Sequence, residues 1–323
     1  MELVRQIIDG KSYNFKTVAL ELFNFQFQNN PIYRKWAEGI NCNPDTVRTI
    51  KDIPFLPVEI FKTQKVITGS EDASLIFRSS GTTMMSRSKH YVVDPELYEL
   101  SFTKAFEYFY GAAEQYRICC LLPSYHEAGD SSLVYMCQHL INQSGHEESG
   151  FYYGRESILL ERLEDNSKVP TILFGVTYAL LDLAAKLKSK IPNTIIIETG
   201  GMKGRRKEIL REEVHDCLIN ATNCTSIHSE YGMTELLSQA YSAGNGIFRC
   251  PHWMKVLVRE QDDPFSIVSE NQSGLINIID FANIHSCCFL ATQDIGKLKA
   301  DGSFEVLGRS DLSDVRGCNL LIQ

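Results

Sequence analysis

From about residue 74, apolar runs of strand length alternate with longer stretches of helical spacing, and this alternation constrains the fold more than any other feature of the chain. Candidate strands cover residues 74–78, 117–122, 171–174, 194–197 and 225–229. Candidate helices cover 95–109, 131–142, 177–188 and 206–218. Strands separated by helices rejoin a sheet through crossovers, which favours parallel pairing and an α/β layer architecture. Residues 1–30 read as helical, with Leu3, Ile7 and Ile8, then Val18, Leu20, Leu22 and Phe23 as apolar positions. Ile53-Pro54-Phe55-Leu56-Pro57-Val58 reads as an extended connector, because proline removes backbone donors. After about residue 247 short β-rich runs appear at 254–258, 274–279 and 303–307, with a turn at Asp301-Gly302. The expected organisation is a layered α/β region over 1–246 and a small antiparallel β subdomain over 247–323.

Composition narrows the function. A formal charge of -8 leaves no clustered cationic surface for nucleic acid. The short basic run at residues 203–207 reads equally as a solvated helix start or a functional patch. No stretch reaches the roughly 18 apolar residues of a membrane helix, and the N-terminus lacks the pattern of a signal peptide. Ten cysteines lie scattered, several in apolar runs, as expected of reduced, buried thiols in a cytoplasmic protein. There is no C-x-x-C, and Cys250-Pro251-His252 is weak as a metal motif.

Three segments carry chemistry. The first is Phe77-Arg78-Ser79-Ser80-Gly81-Thr82-Thr83, leading to Ser88-Lys89-His90. Its hydroxyls and backbone amides can surround phosphate oxygens, with Arg87 or Lys89 adding charge-assisted contacts. An ordinary polar turn would look the same. The second is Glu230-Tyr231-Gly232-Met233-Thr234-Glu235, after a predicted strand. Tyr231 can stack on a base, Thr234 can donate to phosphate and Glu235 can hold Mg²⁺. A strand-to-helix turn with a capping threonine is the plain alternative. The third is Thr292-Gln293-Asp294-Ile295-Gly296, followed by Gly308-Arg309. Asp294 can accept both ribose hydroxyls and Arg309 can reach the same sugar or a phosphate, although a charged hairpin turn would look alike.

In this order and spacing, the three segments resemble the adenylate-forming superfamily of acyl and aryl ligases. Ser79, Ser80, Gly81, Thr82 and Thr83 look like its phosphate loop, and Tyr231, Gly232, Thr234 and Glu235 like its Tyr-Gly-x-Thr-Glu motif. Asp294 looks like its ribose-binding aspartate and Gly308-Arg309 like its hinge signature. Leu122-Pro123-Ser124-Tyr125-His126 resembles the motif that lines the acyl pocket, and Thr199-Gly200-Gly201 the segment that passes the adenine. Residues 53–57, the following Glu59-Ile60-Phe61-Lys62, and the ending Arg316-Gly317-Cys318-Asn319-Leu320-Leu321 are similar to the LuxE-type acyl-protein synthetases.

The resemblance implies ATP and Mg²⁺ as cofactors, a fatty or aryl acid as substrate, and an acyl-adenylate that passes to a protein thiol. It further implies an acyl reductase or acyl-carrier partner, His126 on the acyl side and Cys318 as the acyl-accepting cysteine. The implied fold is the large N-terminal-type domain of adenylate-forming enzymes.

Two departures stand out: Met84 replaces a common glycine after Thr83, and the sequence ends fourteen residues after Arg309. The expectation is that the usual mobile C-terminal domain with its catalytic lysine is lacking. Three other readings stay open. One is an acyl- or aryl-coenzyme A ligase. Another is an ATP-independent thioester acyltransferase built on His126 and Asp130, and the third a non-catalytic nucleotide-binding partner.

Overall fold

A computed structural model describes residues 2–80, 87–122, 129–165, 169–191, 193–200, 211–263 and 265–310. The chain opens with helices α1 (Glu2–Ile8), α2 (Phe15–Asn29) and α3 (Pro31–Gly39). Asn14 caps α2 by accepting the Thr17 amide at 3.0 Å, and Asn30 caps α3 by accepting the Tyr33 amide at 2.9 Å. Pro31 enters α3 where a helix lacks an amide partner anyway. The proline-punctuated connector is extended as expected. It yields the short strand β1 (Leu56–Pro57) and then one 3₁₀ turn.

Next come β2 (Leu75–Arg78), β3 (Lys89–Val92), α4 (Pro95–Tyr110), β4 (Arg117–Leu121) and α5 (Ser132–Ser144). They are followed by β5 (Gly150–Phe151), α6 (Glu156–Glu164), β6 (Thr171–Gly175), α7 (Thr177–Ala184), β7 (Thr194–Glu198), α8 (Arg211–Thr222) and β8 (His228–Tyr231). The remaining strands are β9 (Ala240–Ser242), β10 (Ile247–Arg249), β11 (Met254–Arg259), β12 (Ser273–Asp280), β13 (Phe289–Leu298) and β14 (Phe304–Arg309).

Twelve strands form one mixed sheet in the order β11-β12-β13-β14-β10-β9-β8-β7-β6-β4-β5, with β1 parallel to β13. The run β5-β4-β6-β7-β8 is parallel, and every later neighbour pairs antiparallel. The parallel strands β4 and β6 are buried at every residue, which is why they read as unbroken apolar runs. The antiparallel strands after residue 247 extend this same sheet through β9.

One expectation needs correction. Residues 74–78 do form a strand, but outside the large sheet: β2 pairs antiparallel with β3, Leu75 opposite Val92 and Arg78 opposite Lys89. Periodicity identifies a strand and is silent about its partner.

One continuous apolar cluster joins the N-terminal helices to both halves of the sheet, from Val4 and Phe23 through Ile118 and Phe174 to Ile278 and Phe289. Gln26 stitches the same regions together by polar contacts. Its Oε1 accepts the Cys288 amide at 2.9 Å, and its amide donates to the Ile284 carbonyl at 3.1 Å. Among the described residues, no helix is long and apolar enough to cross a membrane.

Candidate functional site

Strands β4, β6, β7 and β8 are parallel, so their carboxyl ends open on one edge, where ligands collect in open α/β sheets. Leu122, Val176, Thr199, Gly200, Gly232 and Thr234 follow those ends or close them, and all line one cavity of about 360 Å³. Gly200 sits at φ +75, and among the described residues no heavy atom beyond its chain neighbours lies within 4 Å of where a Cβ would stand. Its backbone therefore faces open space, a surface that a flat ligand can approach closely.

The β2–β3 hairpin closes one side. The Ser79 amide donates to the Ser88 carbonyl at 3.1 Å, and the Ser88 amide donates to Oγ of Ser79 at 3.0 Å. Ser79 thus fastens the neck of the hairpin, and Ser80 lines the cavity. Arg87 donates from Nη1 and Nη2 to the two carboxylate oxygens of Asp130 at 3.0 and 3.3 Å, and also donates to the Ser79 carbonyl. Arg78 lies 3.8 Å from the same carboxylate, while its amide donates to the Asp130 carbonyl at 2.7 Å. This clamp ties the hairpin to the start of α5 and spends both Asp130 oxygens on arginine. Lys89 is exposed and is not among the cavity-lining residues, because strand alternation turns buried His90 inward instead.

Tyr231, Asp294 and Arg309 come together on the other side of β8. The Tyr231 phenol donates to Oδ2 of Asp294 at 2.8 Å. Arg309 is directly opposite Asp294 in the β13–β14 register, its Nε 3.8 Å from Oδ1. A register shift at Ile295/Gly296 sets this pairing. Gly296 permits it, since a Cβ there would meet the Glu305 carbonyl at 2.7 Å and Ile276 at 2.5 Å. Burial raises the Tyr231 phenol pKa, and the neighbouring Asp294 charge adds to the rise.

The turn Thr234-Glu235 is held from behind. Nδ1 of His90 lies 2.8 Å from the Thr234 carbonyl, and the Asn283 amide donates to the Glu235 carbonyl at 2.7 Å. Asp280 fixes the next residues by accepting the amides of Leu237 and Ser238 at 2.9 and 3.0 Å and the Ser238 hydroxyl at 2.6 Å. Burial pushes the His90 imidazole down to about 4, so it is neutral at ordinary pH and donates from Nδ1. Glu235 is 7% exposed, and burial raises its carboxyl against the contrary pull of Ser88 and Arg309.

Gly81, Thr82, Thr83, His126, Gly201 and Cys318 lie outside the described residues. Glu230 and Gln239, which line the cavity, were not singled out from sequence; their only signal was proximity to the Tyr-Gly-x-Thr-Glu motif.

The donor set suits Mg²⁺ and a nucleotide. Magnesium ordinarily uses one or two carboxylates, with phosphate and water completing its shell. Glu235 could supply one, and no cluster of three or more His, Cys, Asp or Glu forms a metal cage among the described residues. The Tyr231–Asp294–Arg309 group and the open backbone at Gly200 fit a nucleoside.

The sequence profile of the family "Acyl-protein synthetase, LuxE" matches residues 5–120. No curated protein matches the sequence. Among solved structures, ATP-bound MatB from Rhodopseudomonas palustris aligns at TM-score 0.54 and 16% identity, over 75% of this chain and 49% of MatB. This chain thus spans about half the length of MatB. A 2-hydroxyisobutyryl-CoA ligase in the postadenylation state with 2-HIB-AMP aligns at TM-score 0.68 and 13% identity, over 92% of this chain and 68% of the ligase. The open form of that ligase, with 2-HIB-AMP and CoA, aligns at TM-score 0.65 and 13% identity, over 90% and 73%. The chain therefore has the fold of adenylate-forming ligases, and its amino-terminal part matches the LuxE acyl-protein synthetase family.

Proposed function

We propose that this protein uses ATP and Mg²⁺ to activate a carboxylic acid, of the fatty class, as an acyl-adenylate, and then passes the acyl group to a thiol. The observation that best supports this reading is the convergence of two compartments on one strand end. The acid-sized cavity lies on one side of β8, and the Tyr231–Asp294–Arg309 group lies on the other.

In the first half-reaction a carboxylate oxygen bonds to the α-phosphorus, and the bond to pyrophosphate breaks. In the second, a thiolate bonds to the acyl carbon and AMP leaves. Two anions must meet in the first step, so screening and positioning are the main demands. Mg²⁺, when bound by Glu235, supplies charge neutralisation on the phosphates. Ser80, Gly81, Thr82, Thr83 and Thr234 offer donors to phosphate oxygens. Asp294 and Arg309 take the ribose, Tyr231 and Gly200-Gly201 flank the base, and a neutral His126 orients the incoming carboxylate. Cys318 accepts the acyl group before an acyl reductase or carrier takes it. Coenzyme A is the second candidate acceptor, favoured by the likeness to a CoA ligase fold.

Carboxylate-dependent exchange of labelled pyrophosphate into ATP tests the reading. Exchange with at least one acid of a broad panel is expected. Its absence with every acid, under conditions where the protein remains folded, would overturn it.

A further inference from the structure

A half-buried carboxyl and a buried amide oxygen without a partner meet in the cavity. Glu230 is the penultimate residue of β8, and strand alternation points it away from the Tyr231–Asp294 side. Its carboxyl bends back over Gly232: a Cβ on that glycine would stand 2.4 Å from Oε1 of Glu230 and 3.5 Å from Cγ of Gln239. Both side chains line the cavity. Gln239 is 5% exposed, and its Oε1 has no hydrogen-bond partner among the described residues.

Three phenols lie near Glu230. Burial raises each of them, and the Glu230 charge adds to the rise. All three are engaged elsewhere. Tyr98 donates to the Ser132 carbonyl at 3.0 Å, Tyr241 reaches Sδ of Met136 at 3.9 Å, and the Tyr110 hydroxyl meets Nδ1 of His228 at 3.3 Å. A buried acceptor without a donor, as Oε1 of Gln239 is, destabilises the fold, and such groups in native sites call for an explanation.

We infer that Glu230 and Gln239 form a donor-recognising subsite of the acid cavity, so that the preferred acid carries a hydroxyl or ammonium group away from its carboxylate. The inference rests on the acid-activation reading above. An unsubstituted alkyl chain would leave Oε1 of Gln239 unpaired and would take water from the Glu230 carboxyl without replacing it. A site built to hydrogen-bond a substrate group rejects an analogue lacking it far more strongly than an apolar slot rejects one methylene. Burial lifts the Glu230 carboxyl to about 8. It can therefore stay neutral and accept from a hydroxyl, or ionise beside an ammonium.

The test uses the full chain with medium-chain alkanoates and the same acids bearing a hydroxyl or amino group at each carbon in turn. Pyrophosphate exchange gives kcat/KM, and calorimetric binding of each acid without ATP gives affinity. At one chain position the wild type should favour a substituted acid at least tenfold over its parent by both readouts. Glu230→Leu should remove or invert that ratio, and Glu230→Gln should retain part of it. If Glu230→Leu fails to fold, the same comparison is made on Gln239→Leu. Equal or better use of the unsubstituted acids by the wild type, or a ratio unchanged in the variants, would overturn the subsite while leaving acid activation intact. Binding of a substituted acid that depends on Glu230, without exchange, would uphold the subsite and overturn activation. Neither binding nor exchange with any acid would overturn both.

Discussion

The Tyr231 hydroxyl reaches across from β8 to donate a 2.8 Å hydrogen bond to Asp294 on β13, linking two motifs that lie 63 residues apart in sequence. The bond holds one carboxylate oxygen and leaves Oδ1 facing Arg309. Tyr231→Phe should therefore cost about 1 kcal/mol of stability and loosen Asp294. Asp294→Ala should lose one or two charge-assisted bonds to the nucleotide, about 1.5–3 kcal/mol each, and thus roughly tenfold or more in ATP affinity. Melting curves with and without saturating ATP and Mg²⁺ measure both effects. A wild-type curve that ATP leaves unmoved would count heavily against the nucleotide site.

Glu235→Gln keeps the shape of the side chain and removes its charge. Pyrophosphate exchange should collapse, while the melting temperature stays level or rises slightly because burial already disfavours the ionised form. Exchange at the wild-type rate would move the metal site elsewhere.

His90 predicts an acid weakness. Burial holds its folded value at about 4, below the ordinary 6.5. Between those values the unfolded chain is protonated and the folded one is not, so stability falls as pH drops. The loss from this group should approach about 3 kcal/mol. His90→Gln retains a donor for the Thr234 carbonyl without titrating. Since His228 and His285 are also lowered by burial, the test is the difference between variant and wild type in urea unfolding from pH 7 to about pH 4. Parallel curves would remove the assignment.

Glu230 has the opposite sign. Its folded value near 8 exceeds the ordinary 4.5, so its contribution to stability is fully present below about 4.5 and is lost as pH rises through about 8. The wild type should weaken relative to Glu230→Gln across that window and run parallel to it above. A constant difference from pH 5 to 9 would show that the carboxyl titrates normally.

Cys318 can be tested chemically. Labelled fatty acid with ATP and Mg²⁺ should give protein-bound label that neutral hydroxylamine releases. Cys318→Ser should abolish the label and spare pyrophosphate exchange, which needs only the first half-reaction. Undiminished labelling of the variant would pass the acceptor role to another cysteine, a partner protein or coenzyme A.

The sequence was most legible where burial is two-sided. Residues 171–174 and 194–197 announced themselves because a parallel strand inside an α/β sheet has no wet face to interrupt its apolar run. Asp294 and Arg309 were readable as a pair, since a β-hairpin brings nearby residues together. The partner of residues 74–78 was not readable, nor was the Asp130 clamp, because both depend on how segments dock. Glu230 and Gln239 were hidden for another reason. A carboxylate and an amide look like surface residues until the fold turns both into one cavity, with Gln239 buried and Glu230 half-buried. Asp280 was hidden in the same way, although it fixes the turn that carries Glu235.

The pairing of Leu56 with Leu290, and of Gln26 with Cys288, sets a timetable. During synthesis β1 emerges long before the strand that it pairs with, since Leu56 lies opposite Leu290. Contacts so distant in sequence slow folding and leave apolar surface uncovered meanwhile. The stretch that matches the family profile, residues 5–120, contains half of each such partnership. Expressed alone, it should aggregate or draw on chaperones rather than behave as a module, and the protein should be unusually sensitive to any truncation that removes β13.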